Sequence, residues 1–197
     1  PVGSEFLVNT ATWNHHLDAR VLGLNGGAFV IAYSDYQNAD GDSYGVRVQH
    51  YDAGGVAQSG PVTVNTYVAG SQYFPQLAGL NDGGYVVVWN SAGPDGSSLS
   101  VQARLMNANG TARGGEFQIN TYTIDNQSNP DVAVLSNGEF VVTWVSNNAG
   151  LGGWSIMAQR YTAAGVKIGG EVLVNDGPSA PNGDTYARIA ALDNGGY

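Results

Sequence analysis

Asn38-Ala39-Asp40-Gly41-Asp42 sets three oxygen-bearing side chains on alternate residues, as a hard cation such as Ca2+ prefers. Asn38, Asp40 and Asp42 are therefore the candidate metal ligands. The stretch departs from an EF-hand, because Gly41 lies between the acids and no Glu follows at the bidentate place. Glu5, Glu116 and Glu171 could serve as hydrolytic acids, yet each opens the same short apolar motif, which marks them as scaffold. His15 and His16 are adjacent, so on a strand their rings point to opposite faces and cannot chelate together. No nucleophile-base-orienter set and no paired-acid arrangement is visible. Rings beside acids and amides are the more informative group: Trp13 with His16, Tyr67 with Tyr73, Tyr122 with Asp125, and Tyr186. Aromatic plates stack on the apolar faces of sugars, while acids and amides bind the hydroxyls. These seven residues are the candidate ligand-binding set, with a glycan or cell-surface ligand as partner. The competing reading is structural, in which the same rings plug gaps between packed repeats.

What must position these residues is a repeat. Leu24-Asn25-Gly26-Gly27, Leu80-Asn81-Asp82-Gly83, Leu135-Ser136-Asn137-Gly138 and Leu192-Asp193-Asn194-Gly195 place their leucines 56, 55 and 57 positions apart. A second series ends in Asn9, Asn65, Asn120 and Asn175, spaced by 56, 55 and 55. Each unit of roughly 55 residues reads as four short strands, A to D. Strand A is the stretch like Asp131–Leu135. Strand B, as in Phe140–Trp144, is a near-continuous β-branched and aromatic run suited to burial on both faces. Strand C alternates, Val46, Val48 and His50 against Arg47, Gln49 and Tyr51, and the place of His50 suits an interior or interface residue. Strand D carries pairs such as Phe6/Val8 and Phe117/Ile119 on its apolar face.

Four antiparallel strands per unit, at this length, is the pattern of a propeller blade. The expected fold class is all-β: a β-propeller built from four-stranded antiparallel blades, present as an incomplete ring or fragment. The whole of 1–197 is one repeat domain, with a lone strand D over 1–10, blades over 17–66, 74–121 and 129–176, and the start of a fourth blade over 186–197. Either the fragment belongs to a larger ring or chains associate through open blade edges. The A-to-B and C-to-D turns are short and rich in Asn-Gly and Gly-Gly. The D-to-A and B-to-C connections are longer and differ between copies, so a binding site is expected on their side.

Composition narrows the function classes. Charged residues make up 12%, while Gly (29) and aromatics are abundant, which suits strands joined by tight turns. A net charge of −9 leaves no basic stripe to track phosphates, so no nucleic-acid partner is expected. There is no cysteine, hence no disulfide or thiolate chemistry. No apolar run approaches the ~18 residues that would cross a bilayer, so no membrane insertion is expected. The chain opens on Pro1 without a signal segment and reads as a mature or excised fragment.

The repeat resembles one found in tandem in large bacterial secreted proteins. The resemblance rests on Gly114-Gly115-Glu116-Phe117-Gln118-Ile119-Asn120-Thr121, on Gly83-Gly84-Tyr85-Val86-Val87-Val88-Trp89, and on Ala158-Gln159-Arg160-Tyr161, and it covers essentially the whole chain. Such units often accompany hemolysin-type calcium-binding (RTX) repeats and cadherin-like adhesin modules. The resemblance implies an extracellular or cell-surface, calcium-rich setting and an adhesion or surface-layer context, and it supplies no catalytic residues. The RTX nonapeptides themselves are absent. The expected function is a non-catalytic binding or structural module of an exported bacterial protein, gripping glycans through loop aromatics. The alternatives are a fragment of a polysaccharide-active propeller enzyme and a calcium-stabilised passive spacer in an adhesin.

Overall fold

A computed structural model of the chain describes residues 5–8, 15–36, 42–147, 153–175, 186–192 and 195–197. The short turns nucleate its hairpins. In the second repeat Gly83 N–H donates to the Leu80 carbonyl (3.0 Å) and Leu80 N–H to the Gly84 carbonyl (2.8 Å). Gly83 sits at φ 88°, which only glycine adopts without cost, and this closes a tight hairpin. Leu135 with Gly138 and Leu192 with Gly195 repeat the same pair of bonds.

Strands follow from these turns and from the period-two alternation. The first sheet is β1 (His16–Gly23), β2 (Phe29–Tyr36), β3 (Tyr44–Tyr51) and β4 (Val62–Thr63). The second is β5 (Gln72–Gly79), β6 (Tyr85–Ala92), β7 (Leu99–Met106) and β8 (Phe117–Gln118). The third is β9 (Gln127–Val134), β10 (Phe140–Asn147), β11 (Trp154–Tyr161) and β12 (Lys167–Leu173). Each sheet is an antiparallel meander in chain order, so β1 to β4 are strands A to D of blade 1, and likewise onward. Among the described residues there is no α-helix, and the three sheets do not close on one another. The expected all-β class of four-stranded antiparallel blades is thus present, without ring closure. Residues 5–8 form no strand, although they take a strand's place, as described below.

Blades stack face to face. The distal face of blade 1 offers Val30, Ala32, Val46 and Val48, and the proximal face of blade 2 offers Tyr85, Val87 and Trp89. Blade 2 repeats the arrangement on blade 3, with Val86, Val88, Val101 and Ala103 against Phe140, Val142 and Trp144. Small side chains against large rings fill the seam. Strands B of blades 2 and 3 are consequently buried on both sides. Successive A strands also touch, β1 with β5 and β5 with β9, which places strand A innermost and strand D at the rim.

Candidate functional site

Strand A begins with a bulge in every blade. Pairing with strand B slips between Leu17 and Arg20, between Tyr73 and Gln76, and opposite Thr143 and Val145. At each slip a non-glycine residue takes a left-handed backbone: Asp18 (φ 57°), Phe74 (φ 59°) and Asn129 (φ 54°). Such conformations persist only where surroundings impose them. For Phe74 and Asn129 the neighbouring blade does so. Phe74 N–H donates to Ser34 Oγ of blade 1 (3.1 Å), and Asn129 N–H donates to Asn90 Oδ1 of blade 2 (3.0 Å). Ser34 Oγ in turn donates to Asp18 Oδ2 (3.0 Å). The bulges lie at the start of the innermost strands, so an acid, a ring and an amide gather at the D-to-A end of the inner edge.

Tyr73 belongs to this group. Burial pushes its hydroxyl up, a hydrogen bond with Asn90 pulls against that, and the charge of Asp18 pushes it further up. Tyr73 is half-buried, so part of the ring remains open to a ligand. The sequence does not single out Asp18, Phe74 and Asn129, whose shared signal is their place at the head of strand A, with Phe74-Pro75 and Asn129-Pro130 55 residues apart.

The other expected residues serve more local ends. His16 opens β1, with Nδ1 3.1 Å from Asp35 Oδ1, while Arg47 Nε lies 3.4 Å from Asp35 Oδ2. Asp35 is only 2% exposed, so this carboxylate is held between the His16 imidazole and the Arg47 guanidinium. Blades 2 and 3 carry Gln72, Ser91 and Gln102, or Gln127, Ser146 and Met157, at the same three places, which makes the charged group peculiar to blade 1. The half-buried Tyr67 accepts a bond from Asn65 Nδ2 at its carbonyl (3.0 Å), and Tyr122 does the same for Asn120 (2.9 Å). Tyr67 and Tyr122 thus sit one blade apart in successive D-to-A connections. Asp125 is exposed at φ 63° in the second of these. Tyr186 is exposed, with the Arg188 guanidinium 5.8 Å from its ring centre. Trp13 lies outside the described residues.

Of the candidate metal ligands, Asn38 and Asp40 also lie outside the described residues. Asp42 Oδ2 accepts the Gly70 N–H (2.8 Å), tying its loop to the next D-to-A connection. Asp95 makes the analogous tie one blade on, accepting from Asn120 Nδ2 (3.2 Å). Among the described residues no three His, Cys, Asp or Glu side chains form a group able to hold a metal.

The recurrent residues prove to be joints. Asn65, Asn120 and Asn175 each accept, through Oδ1, the N–H of Val46, Val101 or Ile156 at 2.8 Å, fastening the end of strand D to strand C. Glu116 accepts the N–H groups of Thr66 (2.6 Å) and Tyr67 (3.0 Å) of the preceding blade, and Glu171 accepts that of Thr121. Their expected scaffold role is therefore visible, and it includes holding the loops that carry Tyr67 and Tyr122.

No protein-family model matches the sequence, and no curated protein is similar to it. Its fold is shared with an endo-arabinase from Bacteroides thetaiotaomicron VPI-5482, at 12% identity and a TM-score of 0.58, over 91% of this chain and 76% of that one. Looser likenesses are to a thermostable family-43 glycoside hydrolase (13% identity, TM-score 0.49, 86% and 62% covered) and to a protein of unknown function from Dyadobacter fermentans DSM 18053 (11%, 0.39, 80% and 68%). At such identities a likeness concerns the fold alone. The class is all-β and propeller-like.

Proposed function

We propose that the chain is a non-catalytic binding or structural module of an exported bacterial protein, and that it grips glycans at the inner edge of its D-to-A face. The observation that carries this is the group of Tyr73, Asp18 and Asn90, flanked by Phe74 and Asn129 in imposed left-handed conformations. A half-open ring near a carboxylate and amides offers one stacking plate and partners for hydroxyls. The repeats also differ in chemistry at these positions, as Asp18, Phe74 and Asn129 show, within a scaffold they share. The resemblance to repeats that accompany RTX and adhesin modules supports an extracellular or cell-surface setting. The fold held in common with an endo-arabinase supports a carbohydrate ligand.

The test is a broad glycan screen of the purified chain, followed by titration of the best ligand. Tyr73→Ala should weaken binding about three- to tenfold, the worth of one aromatic contact at about 0.5–1.5 kcal/mol. Asp18→Asn should weaken it as well, without loss of fold. A blank screen, or affinities that neither variant alters, sinks the proposal.

A further inference from the structure

The proximal face of blade 1 is the one blade face of its kind left open among the described residues. On blades 2 and 3 the matching residues Tyr85, Val87, Phe140 and Val142 are fully buried, whereas Phe29 and Ile31 are half-exposed. Val21 is 70% exposed, while Leu77 and Val132 at its place pack into the seams. A cleft of about 510 Å³ runs across this face, lined by Leu7, Leu17, Ala19, Ile31 and Tyr33. At its inner end Asp18 accepts from Ser34, and Asp35 is engaged by His16 and Arg47. Outward of that end, Val21, Phe29 and Ile31 leave a surface that asks for an apolar cover.

Residues 5–8 show what that cover is. Phe6 lies 5.3 Å from Tyr51 at 51°, and Tyr51 stacks on Phe29 at 4.9 Å. In blade 3, Phe117 lies 5.9 Å from Tyr161 at 52°, and Tyr161 stacks on Phe140 at 5.0 Å. The Tyr51 hydroxyl donates to the Val8 carbonyl (3.4 Å), as that of Tyr161 does to Ile119 (3.2 Å). Residues 5–8 thus stand on blade 1 where strand D of blade 2 stands on blade 3. Inward of that strand, blade 2 covers blade 3 with Val86, Val88, Val101 and Ala103. The cleft is the volume those residues would fill.

We propose that this face is the seat of strands A, B and C of one more repeat of the same kind, joined ahead of Glu5 by a C-to-D turn like that between Tyr51 and Val62. Its distal Val/Ala surface meets Ile31, Tyr33 and Val21, and residues 5–8 complete it as strand D. The seam differs from the other two in one respect: Pro61 stands where Glu116 and Glu171 supply the clamping carboxylate. Packing and the blade 1 surface, rather than a carboxylate clamp, hold this repeat.

Because the chain contains no cysteine, Val21→Cys provides a single accessibility probe. Its maleimide labelling is compared in the 197-residue chain and in a chain with residues 66–115 grafted directly ahead of Glu5. The expected result is at least tenfold slower labelling and a higher melting temperature in the extended chain. A second graft, of residues 121–170, guards against a donor that folds poorly. If both extended chains label as fast as the original, or melt no higher, the proposal is overturned. It is also overturned if the introduced thiol in the unextended chain becomes protected as concentration rises and sedimentation shows a dimer, since the occupant is then a second copy.

Discussion

At the scale of single residues, the repeated asparagine is the clearest case of chemistry serving the fold. Asn120 is 2% exposed, and its Oδ1 satisfies the buried N–H of Val101 while its Nδ2 reaches Tyr122, Asp95 and Gln127. Removing it leaves a buried donor without a partner, which costs more than the bond is worth when made. Asn120→Ala should destabilise the chain by about 1–3 kcal/mol in urea unfolding. Asn120→Asp should be at least as costly, because its carboxylate still accepts from Val101 but its second oxygen faces the acceptors of Tyr122, Asp95 and Gln127 that Nδ2 serves. If Asp matches the native chain in stability, those donated bonds are not the cause.

At the scale of elements, the glutamate clamps and the turns decide how blades meet. Glu116 reaches from the head of strand D in blade 2 to two amides of the connection leaving blade 1. Bonds from amides to a carboxylate are stronger than neutral ones. Glu116→Gln keeps one acceptor oxygen and loses the charge, so hydrogen exchange at Thr66 and Tyr67 should quicken while β6 stays protected. Uniform exchange across the blade would show a global loss instead. The C-to-D turns meet the neighbouring blade as closely. Gly110 sits at φ 84°, and a Cβ there would fall 2.7 Å from His50 Cε1. Only glycine lets this turn lie against the imidazole.

At the scale of the whole molecule, the seams couple stability to pH. His50 is 5% exposed, belongs to blade 1, and its Nε2 lies 3.0 Å from the Tyr85 hydroxyl of blade 2. Burial holds the His50 pKa below its ordinary 6.5. Below pH 6.5 the unfolded chain takes up a proton that the folded chain refuses, so stability falls as pH drops through that value toward the folded pKa. Above about pH 7.5 the contribution is constant. Asp82, held below the ordinary carboxylate range by its hydrogen bond with Arg113, is lost only under pH 3.8, so the two windows separate. Urea midpoints between about pH 8 and about pH 5 should decline for the native chain and flatten for His50→Gln. A decline that persists in the variant assigns it to other groups. The same molecule-wide view explains why blade 1 is the unusual copy: among the described blades its proximal face alone lacks a full neighbour and alone carries the Asp35, His16 and Arg47 group.

The blades themselves were legible in the residues because their causes are local. Leu80-Asn81-Asp82-Gly83 carries its own turn chemistry, and Val46, Val48 and His50 declare their face by alternation. The short period also exposed the glutamates and asparagines as scaffold. Tertiary structure alone decided what those side chains hold, because their partners lie on other strands or other blades. It alone set Phe74 and Asn129 in left-handed bulges, since Ser34 and Asn90, about 40 residues upstream, accept their N–H groups. It drew Tyr73 out of a set of similar tyrosines and spent Asp42 on the Gly70 amide. Sequence periodicity specifies what a repeat is. What the differing side chains of each copy touch depends on contacts between copies, and those form only when the blades stack.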